Sequence, residues 1–298
     1  MLYDERKEKT MSEGKAVYST KTKLLRALLW IFLVILAAIV VFPVIYILFG
    51  SFKENGELLR GGINIFPEKW SVENYIEAWK TANFGVYTKN SVLLALGVMA
   101  GAVFNSTLAG FVFSRSKLKI VNIVFYTIMA FMFVSVGSVT LRPLYMLAAK
   151  LRMHKNLISV ILISIGSGQA TYIFLCKGFC NSIPKELDEA AKIDGCSFFR
   201  TYWNVLLPLM KPIIGTVALM SFRQGWNEYM LPLVFTMSNP SMRPLTVGVN
   251  LLKNVGDGTA AWNIMFAGAV IAMVPMICIY IAFNKFFMSG MTAGAVKG

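Results

Sequence analysis

The chain has 298 residues, of which 56% are hydrophobic and 15% charged, where a soluble domain carries about 25% charged residues. Its mean hydropathy is +0.62, and a water-soluble fold of this length needs far more polar surface around its core. An ordinary soluble enzyme or binding module is excluded, and an all-α polytopic membrane protein is expected. The net charge of +14 requires no nucleic acid partner, because basic loops beside anionic membrane lipid account for it.

A hydrocarbon core about 30 Å thick is crossed by about 20 apolar residues in helix. Backbone groups in lipid must bond internally, so the spans are helices. Taken in chain order, a basic tail (1–26) precedes the first apolar run, 27–52. The runs 91–114, 120–141, 156–176 and 258–284 follow, and these five hold no Asp, Glu, Lys or Arg. A sixth run, 212–236, carries only Arg223 and Glu228. The sequence therefore predicts six transmembrane helices within a domain over 27–287 and a short tail over 288–298. The first run is too long for a signal-peptide core and no A-x-A-like site closes it, so it reads as a retained helix.

With the N-terminus inside, the inner segments hold 17 Lys and Arg and the outer ones 11. That bias has the sign of the positive-inside rule and places both termini in the cytoplasm. Arg142, Lys150, Arg152 and Lys155 run against it. Their turn either meets an acidic protein surface, steers an anionic substrate, or is a tolerated translocated loop. His154 is the only histidine and reads as a surface residue, so no histidine metal site or catalytic dyad is available. Cys176, Cys180, Cys196 and Cys278 lack metal-ligand spacing, and two thiols four residues apart make a poor zinc site. No cofactor or metal is expected on the chain.

Between the fourth and fifth runs lies a polar segment, 181–205, with helix punctuation at both ends. Pro184 suits a first helical position, and Glu186, Asp188 and Glu189 complement the dipole at a helix N-terminus. Gly195 suits the left-handed conformation that stops a helix, and a second short helix over 197–205 leads to Pro208. Small Ala190 and Ala191 would let a partner approach closely. The segment predicts a helix–turn–helix on the cytoplasmic face.

Glu189-Ala190-Ala191, then Asp194-Gly195, then Leu207-Pro208, resembles the EAA loop of binding-protein-dependent ABC permeases. The resemblance implies that Glu186, Glu189, Ala190, Ala191, Asp194 and Gly195 couple the spans to an ATPase subunit. Further stretches are similar to the carbohydrate-uptake branch: Lys89-Asn90-Ser91, the run from Leu108 to Arg115, Trp226-Asn227-Glu228-Tyr229, the run from Pro244 to Gly248, and the ending from Gly290. Within that branch the chain resembles the second, six-span permease of maltose importers. The implied partners are a second permease, two nucleotide-binding ATPase subunits that hold ATP and Mg, an extracytoplasmic solute-binding protein, an oligosaccharide and membrane lipid. The implied home is the bacterial inner membrane. The chain has no G-x-x-x-x-G-K-[ST] phosphate loop, so ATP hydrolysis falls to the partners and the chain is a transport subunit, not an enzyme.

The fifth run holds the residues expected to meet substrate, because charge inside a membrane faces a cavity or a bundle interior. On an ideal helix Asn227 lies about 40° from Arg223, Gln224 about 100° and Glu228 about 140°. Arg223, Gln224, Asn227 and Glu228 thus share one polar face, with Arg223 roughly 16 Å in from Pro212. Two readings stand: substrate contact, with Arg223 suited to an acidic sugar, or a polar clamp between two permeases. The loop 237–257 is long for a membrane connection. By resemblance it reaches the binding protein, with Asn250, Lys253 and Asn254 as contacts; the other reading is a loop lying on the lipid surface. Three alternatives stay open: an ABC permease for a non-sugar solute, a secondary transporter, and a membrane enzyme, the last disfavoured by a single histidine and few carboxylates within the runs.

Overall fold

The computed structural model describes residues 20–62, 64–81, 83–134, 137–154, 156–166, 168–254 and 260–295, with side chains over 24–283. The tail over 1–19, Lys155, residues 255–257 of the outer loop and the last three residues lie outside the described residues. Among the described residues every regular element is a helix.

α1 (Thr20–Gly50) is an unbroken apolar rod. Its hydrophobic side chains stay exposed from Leu24 to Ile45, and it meets the rest of the fold near its end, where Tyr46 sits edge-on to Phe266. Short α2 (Asn55–Arg60) and α3 (Glu73–Thr81) follow. α4 (Phe84–Arg115) is the central column. Its first half packs Phe84, Tyr87 and Ala95 with Phe222, Trp226, Leu245 and Ile264. Its second half packs Ala102 and Phe111 with Tyr172, Cys176, Cys180, Tyr202, Leu206 and Val217.

Among the described residues three helical stretches are long and apolar enough to cross a membrane: Leu24–Gly50, Phe84–Arg115 and Trp262–Phe283. Two bent pairs raise the number to five. The first pair is α7 (Leu157–Gly166) and α8 (Gln169–Ser182), turned by 52°. The second is α10 (Phe198–Leu209, with a π-helical turn over Tyr202–Leu206) and α11 (Lys211–Asn227), turned by 82°. α14 (Trp262–Ala295) closes the chain.

Continuity is where the helices depart from the apolar runs. The run 120–141 is not one helix: α5 (Lys119–Phe131) is 13 residues long, and a 3-10 turn (Gly137–Thr140) leads into α6 (Leu141–Lys150). Thirteen residues rise only about 20 Å, short of a full crossing. The run 156–176 breaks between Gly166 and Gln169, with Gly168 at φ +74, a left-handed conformation that a residue with a Cβ adopts at a cost. The run 212–236 breaks at Glu228, whose ψ of 126 is extended, before α12 (Met230–Phe235) resumes. Hydropathy reports where apolar side chains lie, and it carries no signal for one extended residue between two helical ones.

The remaining helices are α9 (Glu186–Ile193) and α13 (Leu245–Leu251), the latter extended by a 3-10 turn over Leu252–Asn254. His154 is half-buried and sits edge-on to Tyr145, ring centroids 5.8 Å apart. It packs in the fold and is not the free surface residue expected.

Candidate functional site

α9 is the helix that Pro184, the acidic first turn and Gly195 predict. It starts at Glu186, so Pro184 precedes it and Lys185 takes the N-cap place. Its end is closed as expected. Gly195 lies at φ +77, its N–H donates to the Lys192 carbonyl at 3.0 Å, and the Cys196 N–H donates to the Ala191 carbonyl at 2.9 Å. This pair of bonds around a left-handed glycine satisfies the last carbonyls and turns the chain into α10, where the Ser197 hydroxyl accepts from the Arg200 N–H.

The helix has two distinct faces. Glu186, Glu189, Ala190, Asp194 and Ile193 are exposed, Ile193 at 88%, whereas Asp188 and Ala191 are buried. The alanine pair is therefore split: Ala190 is available to a partner, and Ala191 packs inward. Asp188 does more than complement a dipole. Its carboxylate lies 2.5 Å from Nε of Arg115, the last residue of α4. The Arg115 Nη2 donates to the Ile183 carbonyl at 3.0 Å, and the Ser114 hydroxyl donates to Asn181 Oδ1 at 2.8 Å. The turn below is held too: Phe111 packs its ring, tilted, against Phe198 and Tyr202 with centroids 4.5 and 5.4 Å apart, and the Tyr202 and Thr107 hydroxyls share a bond of 2.8 Å. α9 and α10 are thus fixed to one face of α4. Sequence reading missed Arg115 and Asp188 as partners, and its only hint was an arginine closing an apolar run next to an acidic helix.

The polar face of α11 divides. Arg223 and Asn227 are exposed on a cavity of about 600 Å³, lined also by Trp226, Tyr229, Thr246 and Asn250. Gln224 turns away from it. Its Oε1 accepts from the Tyr172 hydroxyl at 2.8 Å, and its Nε2 donates to the Ser164 carbonyl at 3.2 Å. It bridges α11 to the break between α7 and α8. Glu228 is not at 140° on the helix, because the helix ends before it. Its Oε1 accepts the Leu231 N–H at 3.4 Å, and its carbonyl accepts from the Thr246 hydroxyl at 2.8 Å. It organises the break. Small Gly225 brings α11 onto α4: a Cβ there would come within 2.9 Å of the Ala95 Cα.

Asn250 stands on the Arg223 cavity, its Oδ1 accepting from the Tyr229 hydroxyl at 3.0 Å, while Lys253 and Asn254 belong to the 3-10 turn beyond. Two stretches far apart in sequence meet here. Asn90 donates to the Ser241 and Arg243 carbonyls, and the Ser91 hydroxyl accepts the Leu245 N–H at 2.7 Å. Among the described residues no group of three His, Cys, Asp or Glu side chains is placed to hold a metal.

An all-helical bundle with apolar stretches long enough to cross a membrane, a short helix tied to its central helix and a largely apolar cavity edged by a few polar groups has the build of a polytopic membrane subunit. The chain belongs to the family of binding-protein-dependent transport system inner membrane components, whose model matches residues 93–292. It is thereby an ABC permease subunit, a transport component of a system that works with an ATPase and a solute-binding protein. It is 31% identical over 287 residues to the arabinooligosaccharides transport system permease protein AraQ of Bacillus subtilis, covering 94% of this chain and 99% of AraQ. It is likewise 31% identical to the trehalose/maltose transport system permease protein MalG of Thermococcus litoralis, over 92% of this chain and 97% of that one. A crystal structure of a bacterial ABC transporter that imports the acidic polysaccharide alginate contains a chain with the same fold. Its TM-score is 0.76 at 20% identity, over 92% of this chain and 100% of that one.

Proposed function

We propose that this chain forms, with a second permease, the translocation path for an oligosaccharide handed over by an extracytoplasmic binding protein. Its carbohydrate relatives support the substrate class, and the tie between α9 and α4 carries the mechanism. In this reading the exposed face of α9, with Glu186, Glu189, Ala190, Ile193 and Asp194, docks on one of two ATPase subunits that bind ATP and Mg. Closure of the ATPases displaces α9. Because Asp188 and Arg115 join it to α4, the same displacement reaches the central span and the two cores packed on it, and the path alternates between its outer and inner openings. Hydrolysis resets it.

The six apolar runs then make six crossings, the third built around α5, the fourth from α7 with α8 and the fifth from α11 with α12. Both termini and α9 face the cytoplasm of a bacterial cell, and Lys253 and Asn254 face the binding protein. The test is ATPase activity of the assembled complex in liposomes, with this chain coexpressed with its partner subunits. Stimulation that requires both sugar and binding protein is the expected result. ATPase activity that no oligosaccharide on the binding protein stimulates overturns the substrate reading and moves the chain to a permease for a non-sugar solute.

A further inference from the structure

We infer that Arg223 is the specificity residue for a carboxylated oligosaccharide, received in the cavity between α11, α13 and α14. This rests on the permease reading above and names the substrate class of that path. The cavity, about 600 Å³, has two unlike walls. One carries Arg223, Asn227, Tyr229, Thr246 and Asn250, and the other is the side of α14 with Met265, Met273 and Met276. That volume lies within the range of small-molecule sites, in which an apolar wall is combined with a few placed polar groups.

Among the described residues no Asp or Glu lines this cavity. The ion pairs among the described residues are Lys53–Glu57 and Arg115–Asp188, so no described carboxylate lies within 4 Å of Arg223. A cation within a span is retained when it faces a cavity and meets an anion there. A guanidinium is a planar fork that matches a carboxylate with two parallel hydrogen bonds, a geometry that a lysine ammonium lacks. Beside it, the amides of Asn227 and Asn250 and the hydroxyl of Thr246 offer both donors and acceptors, which suits the hydroxyls of a sugar ring. The geometry provides one fixed positive charge and a hydrogen-bonding rim, the complement of a uronic acid unit.

Gln224, which sequence alone placed with Arg223, is held by Tyr172 and Ser164. It is therefore left out of this assignment.

The experiment uses the whole complex in liposomes with its binding protein, and compares uptake of an oligogalacturonate with that of its neutral methyl ester. The wild type is expected to prefer the acid. Arg223→Gln is expected to lower acid uptake at least about 10-fold, the scale of one lost charged hydrogen bond. Arg223→Lys should recover part of it, and co-purification of the second permease should stay unchanged. Equal loss for acid and ester, or loss of the second permease from the complex, makes Arg223 a clamp between subunits and overturns the proposal. So does a wild type that carries only the ester. A wild type with no ATP-driven uptake of either sugar overturns the assignment of Arg223, while ATPase activity stimulated by another sugar on the binding protein leaves the permease reading standing.

Discussion

Asp188→Asn tests the link on which coupling rests. The substitution keeps the shape and removes the charge opposite Arg115, whose side chain is 7% exposed while that of Asp188 is 13% exposed. Removing one partner of a buried pair costs about 3–5 kcal/mol, because the other charge is left uncompensated. Arg115 keeps its bond to the Ile183 carbonyl, so the lower end, about 3 kcal/mol, applies. That corresponds to a roughly 100-fold fall in the population with α9 seated against α4. The assay is uptake per ATP hydrolysed in liposomes, with recovery of the intact complex as control. Uptake should fall at least about 10-fold while the complex still assembles. The double variant Arg115→Leu with Asp188→Leu should be less impaired than either single change, since an apolar pair of similar size leaves no buried charge. Wild-type uptake by Asp188→Asn, or a double variant as poor as the two single effects added together, would refute the argument.

Gly195→Pro should insert and assemble yet lose coupling, because proline fixes φ near −65° and this position lies at φ +77; normal ATP-driven uptake would rule out α9 as the coupling element. Tyr172→Phe removes the bond to Gln224 and should destabilise the complex by about 1 kcal/mol, read as a lower Tm in detergent. Gly225→Val places a Cβ within 2.9 Å of the Ala95 Cα and should cost about 1–3 kcal/mol or more through overpacking, read as reduced recovery of folded protein. Ser91→Ala leaves the buried Leu245 N–H without its acceptor and should cost about 1–3 kcal/mol, seen as faster proteolysis of the segment after Pro240.

Element type and the turn at Gly195 were legible for physical reasons that survive in the structure. Long uncharged runs have one solution in lipid, and helix is what α1, α4 and α14 are. Gly195 could be assigned because a left-handed residue closing a short helix leaves few other choices. The acidic first turn of α9 was visible too, but its partition was not: Glu186 and Glu189 face out, while Asp188 faces Arg115, about seventy residues earlier. A local dipole argument cannot see a partner that only tertiary packing supplies.

The same limit explains the divided polar face of α11. Angles on an ideal helix grouped four side chains, yet they could not show that the helix ends at Asn227 or that Gln224 meets a neighbouring helix at its break. That division has a mechanical consequence. Gln224 ties α11 to the α7–α8 break, Glu228 ties the α11–α12 break to Thr246, and Arg223 with Asn227 remains on the cavity between them. Each break is a place where a few dihedral angles absorb a change of direction, the property of a hinge. A displacement of α4 transmitted through its close contact at Gly225 would turn α11 about these two ties and carry Arg223 with it. The affinity of the cavity for its solute would then change with the position of α9, which is what alternating access demands: a ligand shifts an equilibrium only by its differential affinity for the two states.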